Sequence, residues 1–132
     1  MKIRIATSMI VILIVGIFGA CNTNTTNTVN IGEQDAGKTI ELKIGDTLVI
    51  SLEGNITTGY SWIPAPQEPG LLEQVGDIEV TPVSDAVGAP GMIVLKFKAI
   101  EKRQTVLHLD YKRSWEEGVP LEKTFEVTVV VK

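Results

Sequence analysis

From Lys38 onward the apolar residues of this chain recur at every second position. Ile40, Leu42 and Ile44 share one side of an extended backbone, Gly45-Asp46 supplies a turn, and Leu48, Ile50 and Leu52 resume the pattern. Period two is the repeat of a β-strand with one face buried, whereas a helix repeats its apolar stripe at three and four residues. Further runs are Tyr60–Ile63, Leu71–Val75, Ile78–Val83, Met92–Ile100, Thr105–Tyr111 and Leu121–Val130, separated by Gly, Pro or charged turns. Leu107, Leu109 and Tyr111 fall on one face, with Val106, His108 and Asp110 on the other, and Phe125, Val127 and Val129 point to the core from the last strand. No sustained helical stripe is present, so helices should be few and short. The pattern predicts an all-β fold, an immunoglobulin-like β-sandwich of roughly seven to eight strands with Greek-key connections. It lacks the Cys-Trp-Cys framework, and one Cys cannot form an internal disulfide.

Charge and residue chemistry remove several functions. The 132 residues carry 12 Lys+Arg against 16 Asp+Glu, a net of −4, with no dense basic run, which argues against nucleic acid as a partner. His108 is the only imidazole, placed by the alternation beside Asp110 on a solvent-facing strand. The single Cys stands near the N-terminus, so a Cys–His pair has no nucleophile. Glu116-Glu117 is the only adjacent acidic pair and lacks the Asp-x-Asp spacing of a calcium loop. No catalytic residues, metal site or cofactor are expected, and the chain does not read as an enzyme.

The N-terminus reads as an address. Lys2 and Arg4 precede an almost wholly apolar run from Ile5 to Phe18, followed by Gly19, Ala20 and Cys21. This is the three-part layout of an export signal, and the run is shorter than a membrane-spanning helix requires. Phe18-Gly19-Ala20-Cys21 resembles the lipobox of prokaryotic lipoproteins, with Phe18 where an aliphatic residue is usual. That resemblance implies a signal peptide at 1–20, lipidation at Cys21, and an exported, membrane-anchored lipoprotein in the periplasm or at the cell surface. Asn22 to Asn30 is polar and low in complexity, so 21–37 reads as a flexible tether and 38–132 as the domain. Without Lys2 and Arg4 the chain carries ten basic and sixteen acidic residues, a net of −6.

The aromatic residues cluster. Both Trp and both Tyr lie in or beside two loops, at Tyr60/Trp62 and Tyr111/Trp115. Tyr60 and Trp62 stand two apart, and one of the two is expected in the core. Trp115 lies among Lys112, Arg113, Glu116 and Glu117 and is expected to be exposed, because charged residues are rarely buried. An exposed Trp beside an Arg has the composition of a binding hot spot.

At these loops the chain is similar to a known family. Asn55-Ile56-Thr57-Thr58-Gly59-Tyr60-Ser61-Trp62 resembles the Asn-Pro-Thr-Thr-Gly-Tyr-x-Trp signature of the chagasin family, inhibitors of papain-like cysteine proteases. Val87-Gly88-Ala89-Pro90-Gly91 resembles that family's Gly-rich loop, and Arg113-Ser114-Trp115 its Arg-Pro-Trp motif. Ile56 and Ser114 replace Pro, and Pro90 stands where a Gly is usual. The resemblance implies a sandwich with three loops at one end that fill the cleft of a papain-family cysteine protease reversibly and without a covalent bond. It implies protease contacts by Asn55, Thr57, Thr58, Gly59, Tyr60, Gly88, Ala89, Pro90, Gly91, Arg113 and Trp115, with Thr57-Thr58-Gly59 over the catalytic Cys of the target. A monomer is expected. The alternative is a surface-anchored adhesion or glycan- and ligand-binding module that uses the same loop end.

Overall fold

The computed structural model describes residues 25–66 and 70–132; Cys21 and the apolar run before it lie outside them. Among the described residues nine strands are present: β1 (Thr28–Gly32), β2 (Thr39–Leu42), β3 (Thr47–Gly54), β4 (Tyr60–Pro64), β5 (Leu72–Gln74), β6 (Glu79–Pro82), β7 (Gly91–Ala99), β8 (Gln104–Arg113) and β9 (Lys123–Val131). One sheet has the order β1-β3-β7-β5, with β6 also paired to β7, and the other the order β2-β9-β8-β4. β1 runs parallel to β3 and β2 parallel to β9; the other pairs are antiparallel. Among the described residues the only helical pieces are 3-10 turns at Glu33–Asp35 and Ile56–Thr58.

The alternation seen in the sequence becomes the core. Leu48, Ile50 and Leu52 of β3 stand opposite Phe97, Leu95 and Ile93 of β7. They pack against Leu107, Leu109 and Tyr111 of β8 and Phe125, Val127 and Val129 of β9, all buried. Removing that much apolar surface from water is the main force holding the two sheets face to face.

Three expectations are corrected. There are nine strands rather than seven to eight, because Thr28–Gly32, read as tether, forms β1. The reason is local: Ile31 is buried and Val29 packs on the core, while Asn27 is pinned at the β2–β3 turn. Its N–H donates to Asp46 Oδ1 at 2.9 Å, and its carbonyl accepts from the Thr47 N–H at 2.9 Å. Ile44 does not share the face of Leu42, since β2 ends at Leu42 and Ile44 is half-exposed in the turn. Leu121 is likewise exposed in the loop before β9.

The strand pairings bring three connections to one end. Gly54, the last residue of β3, pairs with Gly91, the first of β7, and Tyr60, the first of β4, pairs with Arg113, the last of β8. The β3–β4 turn, the β6–β7 loop and the β8–β9 loop are therefore neighbours, a consequence of antiparallel register alone.

Candidate functional site: three loops at one end of the sandwich

The β3–β4 turn is built by its own side chains. Asn55 is extended and caps the 3-10 turn Ile56–Thr58: its Oδ1 accepts from the Thr57 N–H at 3.1 Å and from the Thr57 hydroxyl at 2.5 Å. Thr58 Oγ1 donates to the Asn55 carbonyl at 2.7 Å. Short polar side chains at such positions satisfy backbone groups that a single helical turn leaves open. Ile56 occupies the first position of that turn, after an extended residue, where Pro would also be accepted. Gly59 ends the turn with φ +84°, and its N–H donates to the Ile56 carbonyl at 2.9 Å. A side chain there meets two obstacles. Positive φ disfavours any Cβ, and a Cβ would stand 2.3 Å from the Trp115 ring.

Two hydrogen bonds tie this turn to the other loops. Asn55 Nδ2 donates to the Gly88 carbonyl at 2.8 Å, and Arg113 Nε donates to the Thr58 carbonyl at 2.8 Å. The Arg113 guanidinium also lies 4.5 Å over the Tyr60 ring and donates from Nη1 to Glu116 at 3.0 Å. That partnership with Glu116 raises the already high pKa of Arg113, so it is a permanent cation here. Beneath the turn, Tyr111 stacks on Tyr60 with ring centroids 5.2 Å apart, and Trp62 sits against Tyr111 at 5.1 Å. The Tyr111 hydroxyl receives the Asn55 N–H at 2.8 Å, and the Trp62 indole donates to the Glu53 carbonyl at 3.1 Å. The buried aromatics thus pay their polar atoms by holding the base of the loop.

Outward, the site is apolar at its edges. Trp115 is 68% exposed, Ile56 is 46% exposed and Val87 is fully exposed. Between the first and second loops lies a groove of about 310 Å³ lined by Ile56, Thr57, Val80, Pro82, Ala86 and Ala89, among others. A large aromatic held in water beside a pre-bonded turn presents a surface for a partner. Among the described residues no group of three His, Cys, Asp or Glu side chains could hold a metal ion.

The sequence profile of the chagasin family of peptidase inhibitors (I42) matches residues 41–129, most of the described chain. The chain belongs to the chagasin family. Solved structures agree. The cysteine protease inhibitor EhICP2 from Entamoeba histolytica superposes with a TM-score of 0.70 at 24% identity, covering 81% of this chain and 97% of that one. The solution structure of amebosin gives 0.64 at 25% identity, over 82% and 99% of the two chains. Leishmania mexicana ICP gives 0.55 at 30% identity, over 74% and 90%. No curated protein matches the chain by sequence.

On this chagasin-family frame the residues singled out from the sequence separate into groups. Thr57, Thr58, Pro90 and Trp115 are exposed, and Asn55, Gly59, Tyr60, Ala89 and Arg113 are half-buried among them. Gly88 is exposed and gives its carbonyl to Asn55. Gly91 is not at the surface: it is buried at the start of β7, where a Cβ would come 2.8 Å from the Thr81 carbonyl. Its smallness lets β6 and β7 approach, and it offers a partner no side chain. Trp62 is in the core and Tyr60 half-buried, as the spacing suggested. Sequence reading missed Tyr111 and Glu116, the braces of Asn55 and Arg113. Glu116 stands three residues after Arg113, a visible signal; Tyr111 had shown its buried face and its place in the aromatic cluster, but not its bond to Asn55.

Proposed function

We propose that this chagasin-family chain inhibits papain-like cysteine proteases reversibly, by placing the three-loop end in the active-site cleft with no covalent bond. The observation that carries the reading is the Thr57-Thr58-Gly59 backbone, held at the tip by Asn55 and Arg113 and flanked by exposed Trp115. Because the turn is bonded before any partner arrives, little conformational entropy remains to be lost on binding, which favours affinity. Trp115 buries its ring on one wall of the cleft, and the β6–β7 loop with Gly88, Ala89 and Pro90 lies along the other. Asn55 and Tyr60 set the turn's height. The turn covers the nucleophile without offering a peptide bond in near-attack geometry.

The anchor belongs to the same proposal. Cys21 as a lipidated N-terminus would hold the inhibitor at a membrane, and the likeness of Phe18-Gly19-Ala20-Cys21 to a lipobox supports this. The test of the inhibitory reading is a titration of papain with the protein, reading residual activity, recovery on dilution and the intact mass of the inhibitor. Inhibition that recovers on dilution with the chain uncut is the expected result. No inhibition at any excess would reject the reading in favour of an adhesion or ligand-binding module.

A further inference from the structure

A peptide bond is cleaved by a cysteine protease in a fixed order of contacts. The thiolate adds to the carbonyl carbon while the carbonyl oxygen moves into hydrogen bonds of the oxyanion hole. The protease imidazolium then gives its proton to the leaving nitrogen. Both ends of that geometry are already taken at the bond the turn presents. The Thr58 carbonyl oxygen accepts from Arg113 Nε at 2.8 Å, and the Gly59 N–H donates to the Ile56 carbonyl at 2.9 Å. The two atoms that would have to turn toward a protease therefore face inward, into this chain's own partners.

We infer that Arg113 is a positioning residue that keeps the Thr58–Gly59 bond from being cleaved, rather than chiefly a contact to the protease. The inference rests on the inhibitory reading above and says which side chain separates inhibitor from substrate. Two of the three guanidinium nitrogens are committed inside the molecule, Nε to Thr58 and Nη1 to Glu116, and its face lies on Tyr60. Such a cation is clamped from three sides and cannot swing out without losing all three contacts. A charge-assisted bond to a carbonyl is stronger than a neutral one, and a planar guanidinium holds its direction better than an ammonium. The Gly59 N–H bond depends on the same 3-10 turn. Once Arg113 lets go, the Thr58 carbonyl can rotate outward and the turn can open toward the extended shape a protease cleft accepts.

In the absence of the guanidinium the chemistry would run to completion. The protease sulfur bonds to the Thr58 carbonyl carbon, the carbon–nitrogen bond to Gly59 breaks, and Gly59 leaves as an amine carrying the imidazolium proton. Water then hydrolyses the thioester, giving the Thr58 carboxylate and restoring the thiol. Water is the only co-reactant.

The experiment compares the full-length protein with Arg113→Ala, Glu116→Gln and Trp115→Ala, each incubated with papain at concentrations that saturate the enzyme. Intact-mass analysis follows the fragment ending at Thr58, and thermal unfolding confirms each fold. The original chain and Trp115→Ala should stay uncut at this bond, although Trp115→Ala binds more weakly. Arg113→Ala should inhibit only temporarily, its inhibition decaying as the fragment ending at Thr58 accumulates. Glu116→Gln, which loosens the guanidinium without touching the turn, should be cut several-fold more slowly than Arg113→Ala. An Arg113→Ala chain that binds and stays whole would overturn the inference, as would equal cleavage of the Trp115→Ala control. Failure of the original chain to inhibit papain would instead reject the inhibitory reading beneath it.

Discussion

Gly59 and Trp115 form one feature, since the glycine's missing Cβ is the space in which the indole rests. The consequence is a non-additive pair. Gly59→Ala should lower stability and inhibition through two causes, the positive φ and the collision with the ring. The first costs about 1–2 kcal/mol for a non-glycine residue. Trp115→Ala should leave the fold intact and weaken inhibition by about 2–4 kcal/mol, roughly 30- to 900-fold. In the double variant the collision disappears and only the φ cost remains, so the stability loss from Gly59→Ala should be smaller there than in the original chain. Thermal unfolding of the four proteins, with inhibition constants against papain, closes the cycle. Additive stability losses would show that the ring does not rest on Gly59 in solution.

The β8–β9 hairpin carries the third loop, and its outer face holds a charge cluster away from the loops. His108 Nδ1 lies 3.0 Å from Glu126 and Nε2 lies 2.9 Å from Asp110, with Lys112 3.8 Å from the other Asp110 oxygen. Two carboxylates can each receive a proton from the ring only when it is the imidazolium; the neutral ring leaves one lone pair facing a carboxylate. The hydrogen bond to Glu126, and then that to Asp110, accordingly raise the His108 pKa above 6.5, despite some loss from burial. A group whose folded pKa is raised stabilises the fold fully below its unfolded pKa and loses that contribution as pH rises through the folded one. Melting temperature should therefore fall as pH rises above about 6.5, the ordinary imidazole value, and His108→Gln should flatten that slope. A slope unchanged in His108→Gln would place the pH dependence elsewhere.

At the scale of the whole molecule, the chain enters its first sheet at the end opposite the three loops. β1 starts beside the β2–β3 turn, where Asp46 receives the N–H groups of Asn27 and Lys43, bonds that hold its carboxyl below the usual carboxylate pKa. Thr47 is at that end of β3, and Gly54, seven residues along, is at the loop end. At about 3.3 Å per residue the strand separates them by roughly 23 Å. If Cys21 carries the proposed lipid, the three loops stand at the end of the described sandwich opposite the one where β1 begins. Cys21→Ser should move the protein from the membrane fraction to the soluble one while leaving its inhibition constant unchanged. Fractionation and mass spectrometry of the N-terminus measure this, and an unmodified Cys21 in a membrane-bound chain would reject the lipid anchor.

The two-residue period by itself determined the all-β class and most of the core, because a strand's alternation is a property of the local backbone and needs no partner to be read. It also placed His108 on the solvent face, while the charged neighbours of Trp115 placed that ring in water. The three motifs were legible as short strings. That they meet at one end was decided by pairing, Gly54 with Gly91 and Tyr60 with Arg113, which joins positions far apart in sequence. Register likewise buried Gly91, which the family resemblance had offered as a protease contact, and recruited Thr28–Gly32 into a sheet. The role of Arg113 was decided only in three dimensions. Its hydrogen bond to Thr58 spans 55 residues, and a directional bond of that reach depends on where two loops are held, which no local pattern encodes.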